Sequence, residues 1–175
     1  MLDVAVAYNR YKFLGEEFLT WLWYVIENDQ HLIKNFDKDF VALEVGNRIV
    51  FENRRNESDE RITIKGDEAN LEEGILALKK GGLVTELNMV YRSGELRWQF
   101  TVKGESLNIS SLITPKTDLP ESNEDIEGAV IEKIYLYDRV VALLDNLFKH
   151  YSKLRVSSSW QSKAVSNMNN WIHSS

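Results

Sequence analysis

Residues 13–26 read FLGEEFLTWLWYVI, and this stretch decides the fold. Eight of the nine residues from Phe18 to Ile26 are apolar, and they recur at the three- and four-residue spacing of one helix face. The pattern predicts a helix from about Lys12 to Glu27 that is apolar around most of its girth. Such a helix is buried in a protein core. The run is shorter than the roughly 20 apolar residues that a bilayer-spanning helix needs.

The composition is that of an ordinary globular protein. The chain has 175 residues, of which 43% are hydrophobic and 27% charged, and this length favours one domain over residues 1–175. The sequence contains no cysteine, which excludes disulfides, thiolate metal sites and cysteine nucleophiles. The first residues, MLDVAVAYNRYKF, lack the basic-then-apolar order of a signal peptide. We therefore expect a cytoplasmic protein without a membrane partner.

The charge is divided unevenly along the chain. The formal net charge is -6, yet no carboxylate side chain follows Asp145. Four cations lie in that last segment: Lys149, Lys153, Arg155 and Lys163. An acidic average argues against an obligate nucleic-acid binder, whereas a basic segment is typical of a surface that contacts phosphates or acidic proteins.

The middle of the chain alternates apolar and polar residues with the period of two that strands show. Gly46-Asn47 predicts a two-residue hairpin loop, and Ser93-Gly94 predicts a second hairpin. A helix closed by Gly81-Gly82 separates the two. The predicted elements are strands Phe40–Val45, Arg48–Glu52 and Arg61–Lys65, helix Glu68–Lys80, strands Leu83–Tyr91 and Leu96–Val102, and a short strand near Leu107–Ile109.

The last third of the chain is helical. Residues 114–125 contain both prolines and several acids, which predicts an internal surface linker. A long helix follows from about Ile126, and a shorter one runs from about Ser158 to Ile172. The whole order predicts an α+β fold: a buried N-terminal helix, a mostly antiparallel sheet of two hairpins with an intervening helix, and a long and a shorter C-terminal helix.

No residue pattern indicates an enzyme, a metal site or a cofactor. The three histidines stand far apart, without partners at metal-ligand spacing, and no phosphate-binding glycine loop or nucleophile elbow occurs. The acids of the linker region resemble the carboxylates of a magnesium-dependent nuclease, but a solvated loop explains them more simply. Those acids are Glu121, Glu124, Asp125 and Glu127.

The basic C-terminal segment has two interpretations. Its cations and the indole of Trp160 would suit the phosphates and bases of nucleic acid, or another acidic partner. Alternatively, Lys149, Lys153 and Arg155 complement the negative end of the long helix, and Trp160 lies in the core.

The long helix carries a heptad-like series of apolar residues. Val130, Ile134, Tyr137, Val141, Leu144, Phe148 and Tyr151 follow one another at alternating spacings of four and three. A series of this length could pair two chains through Tyr137, Val141, Leu144, Phe148 and Tyr151, or could pack on the domain's own sheet. The first alternative predicts a homodimer.

The stretch FLGEEFLTWLWY resembles a motif in the C-terminal region of the bacterial RdgC and RdgC-like recombination-associated proteins. Residues 95–109, ELRWQFTVKGESLNI, and the segment LRVSSSWQ at 154–161 are similar to later parts of that region. The resemblance implies duplex DNA binding without sequence preference and a dimeric assembly. It carries over no catalytic residue, because the motif residues are mostly core types.

These observations predict a non-enzymatic accessory protein of DNA recombination or replication that binds DNA or a recombination protein. The alternative is an assembly subunit, which a phage or mobile element could encode, that self-associates through apolar helices without binding DNA. A metal-dependent nuclease is the third and weakest interpretation.

Overall fold

A computed structural model describes residues 13–53, 60–66, 71–117 and 123–174, with the side chains of residues 13, 71 and 123–125 left out. The helices are α1 (Phe13–Asn28), α2 (Gln30–Lys34), α3 (Leu71–Lys79), α4 (Asn123–Arg155) and α5 (Ser166–Ser174), and a π-helical segment, Trp160–Val165, directly precedes α5. The strands are β1 (Phe40–Asn53), β2 (Glu60–Lys65), β3 (Leu83–Ser93), β4 (Leu96–Lys103) and β5 (Asn108–Ile113).

The five strands form one antiparallel sheet in the order β2-β1-β3-β4-β5. The predicted α+β class is confirmed, with its N-terminal helix, antiparallel sheet, and long and shorter C-terminal helices. The hairpin of β3 and β4 turns where the sequence predicts it, since Ser93 pairs with Leu96 and Gly94 has a φ of +55°. A glycine tolerates this left-handed conformation without strain.

Helix α1 packs across one face of the sheet and is the centre of the core. Its residues from Phe18 to Ile26 are buried except the half-buried Tyr24, and Leu19 and Leu22 are fully enclosed. Each such apolar side chain stabilises the fold by roughly 2 kcal/mol before entropy is counted. Trp23 meets Trp171 of α5 edge-on, with 5.0 Å between ring centroids. The opening motif is therefore an interior element, as its spacing predicts.

The predicted hairpin loop at Gly46-Asn47 is wrong. Strand β1 runs through both residues, with a shift of its register against β3 between Val45 and Ile49. The reason is the side chain of Asn88 on β3, whose Oδ1 accepts from the backbone N–H of Asn47 at 3.2 Å. A Cβ on Gly46 would lie 2.0 Å from that Oδ1, so the glycine is needed for close approach and makes no turn. The first hairpin instead pairs Asn53 of β1 with Glu60 of β2.

The exposed edge of β1 is closed by a side chain. Strand β2 pairs only with the second half of β1, from Arg48 onward. The Gln30 amide donates to Leu43 O at 2.7 Å and accepts from Leu43 N–H at 3.2 Å. It thus imitates a neighbouring strand at this position and blunts an edge that could otherwise pair with another chain.

Helix α4 buries a different set of residues from the predicted heptad series. Its buried residues are Leu136, Val140, Leu143, Leu147 and Tyr151. Of the predicted self-association residues, Tyr137 and Val141 are exposed, Leu144 and Phe148 are half-buried, and Tyr151 is 1% exposed. Tyr151 contacts Phe18 and Trp160 in the core, so the prediction that it lies on a self-association surface is wrong.

The segments around α4 agree in part with the sequence expectations. Residues 114–117 have no regular structure, residues 118–122 of the predicted linker lie outside the described part, and α4 already begins at residue 123. The predicted final helix is divided into the π-helical segment and α5.

Candidate nucleic-acid interface

The sheet has a second face that lies opposite α1, and nine of its outward positions are charged. On β4, Trp98, Phe100 and Val102 point into the core, so Arg97, Gln99, Thr101 and Lys103 point the other way. The same alternation on the other described strands gives six outward cations and three outward carboxylates. The cations are Arg48, Arg61, Lys65, Arg92, Arg97 and Lys103, and the carboxylates are Glu44, Glu52 and Glu86. We call this surface the open face.

The carboxylates of the open face do not balance its cations. Glu86 accepts from Arg48 at 3.1 Å and from Arg61 at 2.9 Å, and Lys103 lies opposite it in the strand register. Among the described residues, Lys65, Arg97 and Lys103 make no ion pair. A protein with a net charge of -6 thus concentrates an excess of positive charge on one side of its sheet.

Two pairs of cations stand directly opposite each other on neighbouring strands. Arg92 of β3 faces Arg97 of β4, and Arg48 of β1 faces Lys65 of β2. Like charges in such cross-strand positions repel and destabilise a sheet. Glu44 offsets part of this repulsion at Arg92, and Glu86 does so at Arg48, each with an N–O distance of 3.1 Å. An anion bound between the members of each pair would offset the remainder.

The middle of the open face contains a hydrogen-bonded polar cluster beside the buried apolar residues Val50 and Val90. The amide of Asn88, which is 4% exposed, donates to Phe100 O at 3.2 Å and to Thr101 Oγ1 at 2.8 Å. Gln99 in turn donates to Asn88 Oδ1 at 3.2 Å. No aromatic ring lies at an outward position of the described strands. Because unstacked bases need aromatic planes, the cations of this face suit phosphate oxygens better than bases.

The predicted C-terminal basic residues are less available than the sequence suggests. Lys149 forms an ion pair with Asp145 at 2.6 Å, whereas Lys153 and Lys163 are exposed. The Arg155 guanidinium donates to Glu17 Oε1 at 2.5 Å and lies 5.2 Å from the Trp160 ring centroid.

Trp160 itself is 3% exposed, so the prediction that its ring stacks on a base is wrong. All five tryptophans of the chain are buried: Trp21, Trp23, Trp98, Trp160 and Trp171. Trp160 lies between cations in the sequence, but its ring packs in the core, as the second interpretation of the C-terminal segment predicts.

Glu17 joins α1 to the end of α4. Its carboxylate accepts from the Tyr151 hydroxyl at 2.6 Å as well as from Arg155. Burial raises the pKa of Tyr151 well above its usual range, and the Glu17 carboxylate raises it further. The cluster borders a cleft of 260 Å³ between α1 and the C-terminal helices. Because the carboxylate is already neutralised by a cation, the arrangement is a structural clamp rather than an acid–base site.

Tyr151→Phe is expected to lower the free energy of unfolding by about 2 kcal/mol, because a hydrogen bond to a charged acceptor is removed while the ring stays packed. Chemical denaturation measures this change. Tyr24→Phe is the matched control, since Tyr24 contacts Trp171 through its ring and its hydroxyl forms no side-chain hydrogen bond within the described residues. Equal effects of the two substitutions would contradict the clamp.

A second polar cluster joins α4 to the other end of the sheet. The Arg139 guanidinium donates to Asp37 Oδ2 at 3.1 Å and to Ser93 Oγ at 2.6 Å, and the Tyr91 hydroxyl also donates to Asp37. Burial raises the pKa of Tyr91. The cluster lines a cleft of 320 Å³ with Phe36 and Leu143. Every polar group in it has a partner within the cluster, which indicates a fold-stabilising role.

The described residues show no group of three or more side chains that could hold a metal ion. Of the linker acids compared with a nuclease site, Glu127 is exposed on α4, and the side chains of Glu121, Glu124 and Asp125 lie outside the described part. No helix among the described residues is long and apolar enough to cross a bilayer.

Comparisons of the chain with protein-family models, with curated proteins and with solved structures gave no match. The cations of the open face are not among the binding residues predicted from the sequence, although strand alternation does predict that Arg97 and Lys103 point outward. Alternation within a strand does not predict the order of the strands, and it is this order that brings Arg97 and Lys103 onto one face with Arg92, Arg48 and Lys65.

Proposed function

We propose that this protein is a non-enzymatic accessory factor of DNA recombination or replication, and that it contacts the phosphates of duplex DNA through the open face. The process is suggested by the resemblance of residues 13–24 to RdgC-like proteins. The contact surface is suggested by the excess of cations on the open face, and this observation carries the proposal.

The spacing of the cations fits a phosphate backbone. Along β3, Glu86, whose carboxylate pairs with Arg48 at 3.1 Å, and Arg92, which stands opposite Arg97, are separated by six residues, or about 20 Å of strand. Duplex DNA carries one negative charge for roughly every 1.7 Å of its axis, so several phosphates fall within that length. Binding at both cross-strand pairs would relieve the repulsion within each.

The absence of outward aromatic rings among the described strand residues favours duplex over single-stranded DNA. Single-strand binders gain much of their affinity by stacking bases on aromatic side chains. Contacts to phosphates alone carry no sequence information. We therefore expect binding without sequence preference, with an affinity that falls steeply as salt is raised.

The test is a triple substitution, Lys65→Glu, Arg97→Glu and Lys103→Glu, measured by fluorescence anisotropy with a labelled duplex of mixed sequence. These three cations make no ion pair within the described part, so their replacement breaks no bridge there. We expect the affinity at low salt to fall by at least about tenfold. The slope of log affinity against log salt should decrease by about one for each phosphate that the variant no longer neutralises.

A matched control replaces Lys149, Lys153 and Lys163 by Glu. It changes the net charge of the chain by the same amount but leaves the open face intact. We expect this variant to retain most of its affinity. The proposal would be overturned if wild-type protein bound no duplex at about 50 mM salt, or if the control substitutions reduced the affinity as much as the open-face substitutions.

A further inference from the structure

The first half of α4 exposes apolar side chains on a helix that the described part of the chain does not cover. Every described side chain from 126 to 135 is exposed except the half-buried Ala129, and Leu136 is the first buried residue. Five of the exposed residues lie on one side of the helix, and each is 47 to 54% exposed. They are Ile126, Val130, Ile134, Tyr137 and Val141, and we call them the α4 stripe.

The α4 stripe is separate from the surface by which α4 packs on its own sheet. The buried residues Leu136, Val140 and Leu143 lie about 100° around the helix from the stripe. At its C-terminal end the stripe runs into an apolar groove of 210 Å³, which Phe18, Leu107 and Phe148 help to line. Contiguous exposed apolar surface of this kind marks an interaction site.

We propose that the occupant is a second copy of this chain, whose α4 stripe pairs with the first in parallel about a twofold axis. This interaction goes beyond the proposed function and does not depend on DNA. In heptad terms, Ile134 and Val141 take the a positions and Val130 and Tyr137 take the d positions, while Glu127 takes the first a position, at the N-terminal end of the contact. The β-branched residues Ile134 and Val141 match the a positions of two-stranded parallel pairs, whereas Val130 and Tyr137 stand at d, where such pairs prefer leucine.

In a parallel pair, the residues that flank the α4 stripe on one helix would face complementary residues on the other. In that geometry a g residue faces the e residue five positions later on the other chain. Lys133 at g would meet the partner's Asp138, and Ile126 at g would meet the partner's Ile131, which is 60% exposed here. An antiparallel pair would instead place Ile131 against Asp138. The parallel arrangement thus uses one further exposed residue of the helix and forms two ion pairs.

The size of the contact predicts a reversible dimer. Residues 126–141 span about 24 Å of helix. A two-helix contact of that length buries on the order of 1,000 Å² in total, which is near the lower limit for a specific interface. The rest of each chain packs against the side of α4 that holds Leu136. A twofold axis between the two helices therefore places the rest of the two copies on opposite sides of the helix pair. Dissociation on dilution is therefore expected.

Sedimentation velocity of the full chain without DNA tests the association over a wide range of protein concentration. We expect a monomer–dimer equilibrium, and an association constant lowered by at least about tenfold in Ile134→Glu. Ile134 is 54% exposed, so this substitution leaves the core intact. Lys133→Glu and Asp138→Lys should each weaken the dimer, whereas the double substitution Lys133→Glu, Asp138→Lys should restore it.

Cysteine cross-linking tests the orientation, because the natural chain has no cysteine. Val130→Cys should form an interchain disulfide under mild oxidation, since equivalent d positions face each other only in a parallel pair. Glu132→Cys, about 200° further around the helix, is the control and should cross-link slowly. A chain that remains monomeric at the highest concentration, or cross-linking of Glu132→Cys as fast as that of Val130→Cys, would overturn the proposal.

Discussion

Gly15→Ala is expected to lower the free energy of unfolding by about 3 kcal/mol or more, although it adds a single methyl group and exchanges a poor helix former for the best one. Gly15 is buried in the first turn of α1, against the backbone of Gly104 after β4. A Cβ at position 15 would lie 1.8 Å from the carbonyl oxygen of Gly104. The obstacle is main chain, which cannot rotate away as a side chain would, so α1 or the β4–β5 turn must move.

The control is the same substitution where no neighbour stands in the way. Gly128 lies in the exposed first half of α4, and no atom beyond its own stretch of helix backbone lies within 4 Å of a Cβ built there. Gly128→Ala should raise the free energy of unfolding by up to about 1 kcal/mol, because alanine loses less backbone entropy on forming a helix. Equilibrium denaturation of both variants provides the measurement. Similar effects of the two would contradict the close approach of α1 and residue 104.

Local patterns predicted the elements that depend on local physics. The apolar spacing of residues 13–26 gives α1, and the alternation around Ser93-Gly94 gives the β3–β4 hairpin. The turn propensity of Gly46-Asn47 predicts a loop that does not form, because the residue that decides the conformation there, Asn88, is 41 positions beyond Asn47. A turn propensity is a local preference, and a long-range hydrogen bond overrides it here.

The helical periodicity of α4 left a real ambiguity. Two apolar rows lie side by side on this helix, one through Leu136, Val140 and Leu143, and the other through Ile134, Tyr137 and Val141. Periodicity describes both equally well. Contact with the sheet determines which row is buried. The Trp98 indole donates to Leu136 O at 3.0 Å and fixes the rotation of the helix.

The open face could be predicted only in part for a similar reason. Alternation marks the outward residues of each strand, but the distance between strands in space depends on their order in the sheet. Arg48 and Lys65 are neighbours because β2 returns alongside β1, and Arg92 is nearer to Arg97 than to any cation of β1. The cations of the C-terminal segment follow one another closely in the sequence, so the charge pattern alone identifies them.

Arg139→Met is expected to lower the free energy of unfolding by about 3 kcal/mol. The Asp37 and Arg139 side chains are only 11% and 23% exposed. Removing the cation leaves the carboxylate of Asp37 enclosed with the hydroxyls of Tyr91 and Ser93 but without a counter-charge, and an uncompensated charge in a partly buried site is costly. The methionine preserves much of the apolar contact that the arginine stem makes.

Arg92→Met is the matched control for this substitution. Arg92 pairs with Glu44 on the open face at a similar distance of 3.1 Å, but both side chains are about half exposed, at 47% and 48%. Solvent screens such a pair, so we expect a decrease below about 1 kcal/mol. Two decreases of the same size would indicate that the burial of the Asp37 cluster does not determine its strength.

The pH dependence separates the charge of Arg139 from its packing. Burial raises the pKa of Asp37, but hydrogen bonds from Ser93, Tyr91 and the backbone of Asp39, together with the charge of Arg139, outweigh that effect and hold the pKa below its usual range. Asp37 therefore stabilises the fold above the unfolded pKa of about 3.9, and this contribution is lost as the pH falls through the folded value. Without Arg139 the pKa is lowered less, so the difference in unfolding free energy between wild type and Arg139→Met should shrink as the pH falls from neutrality to below about 4. A difference that stays constant over this range would show that Arg139 acts through packing alone.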